Sequence, residues 1–297
     1  MSEISATDAA LGGFGLARSN PRTVLMWGLL AFISTITTFA LMTVLSGPAF
    51  AEAQTMGVSG DVDPGQILEM YRQMAPGYGA SIAVSIVISG LLNASAARLV
   101  LNPSDTGGFG YVQFGADELR QMLLALVLNL IFIGVWVAVI VLASLAYLVG
   151  GPGLSALVGL VGFLAALVAS LLLVVRLSLS SSATFVQRRL AIGESWRLTK
   201  GRYWPLLGTY LLAGVLGMLV ILLVWGIAMV VITLVFGLAA AGGAMSPTFS
   251  SLGAVFSPAS LIYFAILSFG SSLGYLIMLT PAPSIYRQLT GAPAVFD

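Results

Sequence analysis

The side chains best suited to bind a ligand are five basic residues between positions 188 and 202. They are Arg188, Arg189, Arg197, Lys200 and Arg202. Basic groups near a membrane surface attract anionic lipids by about 1 kcal/mol each. The five residues are therefore candidate lipid-headgroup contacts. The alternative is that they only set the orientation of the chain, because basic residues collect on the cytoplasmic side of membrane proteins.

The residues around these charges predict how they are held. Glu194 and Arg197 are spaced for an ion pair within one helix, and Ile192 and Trp196 add apolar surface. Tryptophan is enriched at the depth of lipid headgroups. We therefore expect a short helix along the inner membrane interface, with Trp196 and Trp204 as interfacial anchors.

Two amide side chains lie within apolar segments, at Asn93 and Asn129. Asn93 ends a polar stripe that begins at Ser81 and also contains Ser85 and Ser89. A stripe of this kind favours close packing against a neighbouring helix, with a water-lined path as the alternative. Asn129 also has two interpretations. It is either a hydrogen-bonded helix staple or a ligand-binding residue.

No catalytic residue, metal ligand or cofactor site is predicted. The 297 residues include no His and no Cys, which removes the usual general base, the thiolate nucleophile and the commonest transition-metal ligands. No apolar segment contains a carboxylate. The glycines between 107 and 115 follow a membrane segment and lack the lysine of a phosphate-binding loop. Nucleic-acid binding has no support at a net charge of +1.

The composition predicts an all-α, polytopic membrane helix bundle. Hydrophobic residues make up 59% of the chain and charged residues 8%, far from the values of soluble domains. Six spans are expected at 23–45, 79–97, 121–149, 154–175, 205–240 and 261–280. Gly150, Gly151, Pro152 and Gly153 predict a tight hairpin between the third and fourth spans. The fifth must tilt, kink near Gly214 and Gly217, or protrude, because 36 helical residues extend about 54 Å.

Shorter segments complete the predicted domain organisation. Residues 1–22 are expected to be a loosely ordered cytoplasmic tail, 23–289 the membrane domain and 290–297 a C-terminal tail. Asp63 and Pro64 predict the start of a short interfacial helix, with a lid over a pore as the alternative. Ala49 and Ala51 have the spacing of a signal-peptidase site, but the preceding apolar segment is longer than a signal peptide requires.

Small residues mark two helix faces for close packing. Gly270 and Gly274 form a GxxxG pair in the sixth span, which could support self-association. Gly162, Ala166 and Ser170 form a similar face in the fourth.

Orientation follows from the distribution of the basic residues. Six spans place eleven of the twelve on one side, so both termini are predicted to be cytoplasmic. A shift of 78 positions also overlays Arg98 on Arg176 and Gly115 on Gly193, which suggests a weak internal repeat.

The segment from Leu172 to Leu212 contains VVRLSLS and ESWRLTKGRYWPLLGTYLL, and a later segment reads Tyr286, Arg287, Gln288 and Leu289. In these residues the chain resembles bacterial multi-helix membrane families of unknown function, related to the membrane domain attached to some glycerophosphodiester phosphodiesterases. It departs from their pattern at Gln187, near which they often have an acidic residue. Their chemistry belongs to a separate soluble barrel. The resemblance implies a location in the bacterial inner membrane and no catalysis.

Overall fold

The computed structural model describes residues 6–56, 64–105, 109–236 and 251–291. These residues form α-helices and one 3-10 turn, and no strand occurs among them. The helices are α1 (Ala6–Ser19), α2 (Pro21–Met56), α3 (Pro64–Leu101), α4 (Ala116–Leu177), α5 (Ser180–Gln187), α6 (Ile192–Thr199), α7 (Tyr203–Phe236), α8 (Leu252–Val255), α9 (Pro258–Leu279) and α10 (Pro281–Thr290). Five segments are long and apolar enough to cross a membrane. The all-α class and the membrane-protein character predicted from composition are confirmed.

The longest of these segments contains α4, which is a helical hairpin. Gly151 has φ 69 and ψ −163, a left-handed conformation that favours glycine, and Pro152 follows it. Beyond this point the chain turns back on itself. The Ser155 hydroxyl donates to the Ala143 carbonyl at 2.9 Å, and the rings of Trp136 and Phe163 lie 5.6 Å apart. The hairpin predicted between the third and fourth spans is therefore present inside this one segment.

The small-residue face of the fourth span packs inside this hairpin. A Cβ at Gly162 would lie 2.9 Å from Val139 of the opposite arm, and Ala166 is buried. Outside these contacts the hairpin exposes much of its apolar surface. In its most apolar stretch only 6% is buried by protein. This is the surface expected of helices covered by lipid acyl chains.

Helices α2 and α3 pack along most of their length. Trp27 is fully buried between them, and its indole nitrogen donates to Ser95 at 2.9 Å. α2 is interrupted at Ser46, whose hydroxyl donates to the Met74 carbonyl and accepts from the Gly77 amide, both at 3.2 Å. These two bonds join the interrupted part of α2 to α3 on either side of Pro76.

The structure differs from two expectations about the polar segments. Helix α3 is continuous from Pro64 to Leu101 and its candidate span begins at Glu69, so the helix expected to start at Pro64 is not separate from the second span. Its expected cap, Asp63, lies outside the described residues. The expected loose tail contains α1, which packs on α7, α9 and α10. A Cβ at Gly13 would lie 2.7 Å from the Ile277 backbone, so this close approach depends on glycine.

Helix α7 continues through Gly214 and Gly217 without a break. It packs against α9 at the GxxxG pair, where a Cβ at Gly270 would lie 2.1 Å from Val224 and one at Gly274 would lie 2.6 Å from Ile221. Self-association through this pair would require α7 to move away. The last residues of the predicted fifth span, from 237 onward, lie outside the described residues.

Five helices meet at the end of the bundle that holds α5, α6 and α10, which we call the basal end. A buried apolar cluster there joins α3, the end of α4, α5, the start of α7 and α10. Its members include Leu101, Leu179, Leu206 and Ile285, each at most 1% exposed. This cluster holds in place the segment with the five basic residues.

Candidate functional site

The basic residues flank two short helices that pack on the end of α4. Arg188 and Arg189 follow α5, Arg197 lies on α6, and Lys200 and Arg202 lie between α6 and α7. Ser195 of α6 is fully buried; its hydroxyl donates to the Arg176 carbonyl at 2.7 Å and accepts from the Leu179 amide at 3.1 Å. Thr199, one turn later, is also buried. The Ala191 amide donates to Thr184 of α5 at 3.1 Å. Because these bonds fix both helices to the end of α4, the positions of the exposed cations are defined by the fold.

The five cations have different surroundings. Arg188, Arg189 and Lys200 are exposed and form no ion pair within the described residues. Arg197 pairs with Glu194 at 2.8 Å, as its spacing predicted. Arg202 is half-buried. Arg188, Arg189 and Lys200, which we call the free cations, are therefore the members of the set best placed to meet a headgroup.

The two tryptophans lie on the same part of the surface. Trp204 is 76% exposed and Trp196 is 49% exposed. The Arg176 guanidinium lies 5.6 Å from the centre of the Trp196 ring, close enough for a cation–π interaction. Trp204 packs edge-on against Tyr203, with ring centres 5.4 Å apart. A large aromatic side chain that stays exposed beside free cations is typical of a membrane interface.

Sequence reasoning missed a buried ion pair at the same end of the bundle. Arg98 of α3 and Glu118 of α4 are each 2% exposed, and Arg98 Nη2 lies 2.7 Å from Glu118 Oε1. Arg98 Nη1 donates to the Tyr111 carbonyl at 2.7 Å, while Nε lies 3.4 Å from Asp105 without a hydrogen bond. The guanidinium also lies 5.6 Å from the centre of the Phe185 ring of α5. Arg98 thus joins α3, α4, α5 and the loop between α3 and α4.

A sequence signal for this pair existed in the weak repeat. The shift of 78 positions that overlays Arg98 on Arg176 also overlays Glu118 on Trp196. In the structure each arginine contacts the residue twenty positions after it, Glu118 by an ion pair and Trp196 by its ring. The two contacts differ chemically, so the repeat relates the positions of the contacting residues and not the type of interaction.

The second candidate site is a polar cleft of about 430 Å³ between α3, both arms of α4 and α5. Its polar lining consists of Ser89, Asn93, Gln121, Asn129, Ser178, Ser180 and Ser181. Its apolar lining consists of Leu124, Ala125, Leu128, Phe132, Val174 and Leu177. The structure therefore brings together the two amides that the sequence singled out, and adds Gln121 and the serines at the end of α4.

Each of the three amides in the cleft donates a side-chain N–H to a backbone carbonyl. Asn93 donates to Ser89 at 2.8 Å and Asn129 donates to Ala125 at 2.9 Å, each within its own helix. Gln121 donates from α4 to the Ser181 carbonyl of α5 at 2.8 Å. The two asparagines therefore do not staple one helix to another. The side-chain carbonyl oxygens of all three amides accept no hydrogen bond from the described residues.

The rest of the polar stripe on α3 behaves similarly. The hydroxyls of Ser81, Ser85 and Ser89 donate to carbonyls of their own helix, and Ser85 is exposed. Within the described parts of the chain, these three hydroxyls form no hydrogen bond to a neighbouring helix. Ser89 and Asn93 line the cleft instead.

The fold and these sites define a helical membrane protein with an exposed basic surface at one end and a polar cleft beside it. Comparison of the chain with protein-family models, with curated proteins and with solved structures gives no match. Any more specific function must therefore come from the sites themselves.

Proposed function

We propose that the chain is a non-catalytic membrane domain that binds anionic lipid headgroups at its basal end. The observation that carries the proposal is that the segment from 188 to 204 exposes the three free cations and also Trp196 and Trp204. Lipid phosphates are the abundant anions at the headgroup depth that tryptophan prefers. A merely solvated loop would not need the buried serine and threonine bonds that hold α5 and α6 in place.

The proposal includes six spans, cytoplasmic termini and a location in the bacterial inner membrane. The reversal at Gly151 supports six spans, because it divides the longest apolar segment into two antiparallel arms. With six spans, eleven of the twelve basic residues lie on one side, which the positive-inside rule assigns to the cytoplasm. The resemblance to bacterial membrane families supports the choice of membrane.

The absence of catalysis is part of the same proposal. Glu118 is a buried carboxylate near the polar cleft, and it is already paired with Arg98 at 2.7 Å. Because Arg98 Nη2 occupies Glu118 Oε1, we assign this carboxylate the structural role of joining α3 to α4. With no His or Cys in the chain, the cleft has no other strong candidate.

The test compares two double variants of equal charge. Arg188→Gln/Arg189→Gln removes two free cations, and Arg18→Gln/Arg22→Gln removes two exposed cations elsewhere on the predicted cytoplasmic side. Two charges worth about 1 kcal/mol each predict about thirtyfold weaker binding of phosphatidylglycerol by the first variant. Native mass spectrometry of protein released from nanodiscs containing phosphatidylglycerol and phosphatidylcholine would measure the retained lipid.

The control variant should keep its lipid and its orientation. Equal lipid retention by both variants would contradict the proposal. If the first variant kept its lipid but inserted in the opposite orientation, the basic residues would act only as topology signals.

A second candidate function is uncoupled passage of a small solute or lipid. The polar cleft favours it, because uncharged Ser, Asn and Gln side chains line a cavity between apolar helices. The two functions use different residues. Loss of transport in an Asn93→Leu/Asn129→Leu variant with normal lipid retention would separate the cleft from the basic surface.

A further inference from the structure

We propose that the polar cleft binds the free hydroxyl group of an uncharged glycerolipid of the diacylglycerol class. Arg188, Arg189 and Lys200 do not line the cleft. Binding of this ligand can therefore be tested separately from binding of anionic lipid by these three cations.

The absence of charge in the lining indicates an uncharged ligand. None of the thirteen residues that line the cleft is acidic or basic. A charged group placed there would lose its hydration without gaining a counter-charge, which is strongly unfavourable. Two buried charges at this end of the bundle, Arg98 and Glu118, pair with each other at 2.7 Å. Phosphate, carboxylate and ammonium headgroups are thus disfavoured in the cleft.

The hydrogen-bonding pattern indicates a ligand that can donate to side-chain oxygens. Asn93, Asn129 and Gln121 each donate to a backbone carbonyl and keep a side-chain carbonyl oxygen unused. The hydroxyls of Ser89 and Ser178 likewise donate to carbonyls of their own helices. Each amide therefore keeps its carbonyl oxygen and its second N–H, and each of these serine hydroxyls keeps acceptor capacity. A ligand hydroxyl can donate to the oxygens and accept from an N–H without introducing a charge.

The apolar half of the lining and the surroundings indicate a lipid. Leu124, Leu128, Phe132 and Val174 line the same cleft as the amides. The cleft volume of about 430 Å³ is within the usual range for small-molecule sites. The outer surface of the hairpin exposes apolar side chains, among them Leu130 at 59%. A hydroxyl and glycerol could occupy the cleft while acyl chains lie along the hairpin.

The experiment uses the full chain in phosphatidylcholine nanodiscs and a diazirine-labelled diacylglycerol. Dioleoylglycerol and its 3-O-methyl ether compete for labelling; they share shape and acyl chains, but only dioleoylglycerol has a hydroxyl donor. We expect dioleoylglycerol to compete about fivefold better, the effect of one net hydrogen bond. Labelled peptides should come from 121–132 and 174–181. This comparison needs no substitution, so it does not depend on a variant folding.

A matched pair of variants tests the residues. Asn93→Leu/Asn129→Leu removes two acceptors with little change in volume, and we expect labelling to fall at least about fivefold and the ether to compete as well as dioleoylglycerol. Ser85→Leu changes an exposed polar residue of the same helix outside the cleft, and labelling should be unchanged. Equal competition by the two lipids in the unaltered protein would overturn the proposal. So would labelling that sodium chloride displaces, which would assign the acceptors to a cation.

Discussion

The buried pair of Arg98 and Glu118 provides the sharpest test of how the basal end is held together. We predict that Arg98→Met lowers the free energy of unfolding by about 4 kcal/mol, because Glu118 is then a buried charge without its partner. Glu118→Leu should cost less, about 2 kcal/mol, because Arg98 keeps the Tyr111 carbonyl at 2.7 Å and Asp105 at 3.4 Å.

The double variant Arg98→Met/Glu118→Leu should cost about 3 kcal/mol, which is less than Arg98→Met alone. It removes both charges, and the remaining loss comes mainly from the Tyr111 carbonyl, whose donor has gone. The corresponding coupling energy between the two residues is about 3 kcal/mol.

Reversible unfolding in mixed detergent micelles would measure all four proteins. Arg72 and Glu69 form an exposed ion pair at 3.0 Å elsewhere in α3, and Arg72→Met serves as the control with no expected change. Additive effects of the two substitutions would refute the reasoning, since they would mean that the pair contributes nothing as a pair. A double variant less stable than Arg98→Met alone would refute it too.

Two further predictions concern the packing and the topology of the spans. Gly270→Ala should destabilise the contact between α7 and α9 by about 1–3 kcal/mol, because its Cβ would lie 2.1 Å from Val224. Gly226 has open space around it, so Gly226→Ala should be neutral when both variants are unfolded in mixed detergent micelles. Reporter fusions after Gly60, Pro152 and Ser250 should report the outside, and those after Ser104, Gln187 and Asp297 the inside; an inside signal after Pro152 would contradict the six-span topology.

The hairpin was predictable because its signals are local. Three glycines and a proline between two long uncharged segments leave the chain few conformations other than a reversal, and Gly151 takes the positive φ that glycine allows. The ion pair of Arg197 and Glu194 was predictable for the same reason, since residues three apart on a helix are neighbours. Both features depend on residues close together in the chain.

The ion pair of Arg98 and Glu118 was not predictable in this way. Each residue ends or begins an apolar segment, where a charge is expected to face water. Only the packing of α3, α4 and α5 excludes water from both side chains. The helical state of residues 6–19 was missed for a related reason, because its docking depends on the space that Gly13 leaves beside Ile277.

The sequence by itself determined the membrane class and the positions of the apolar helices. Hydropathy and charge act through the partition of each segment between water and lipid, which requires no knowledge of its neighbours. Tertiary structure alone decided which polar groups share a site. Asn93 and Asn129 belong to different helices, and only the packing of α3 beside the hairpin places them in one cleft with Gln121. Such proximity depends on helix rotation and crossing, which small residues and long-range contacts control.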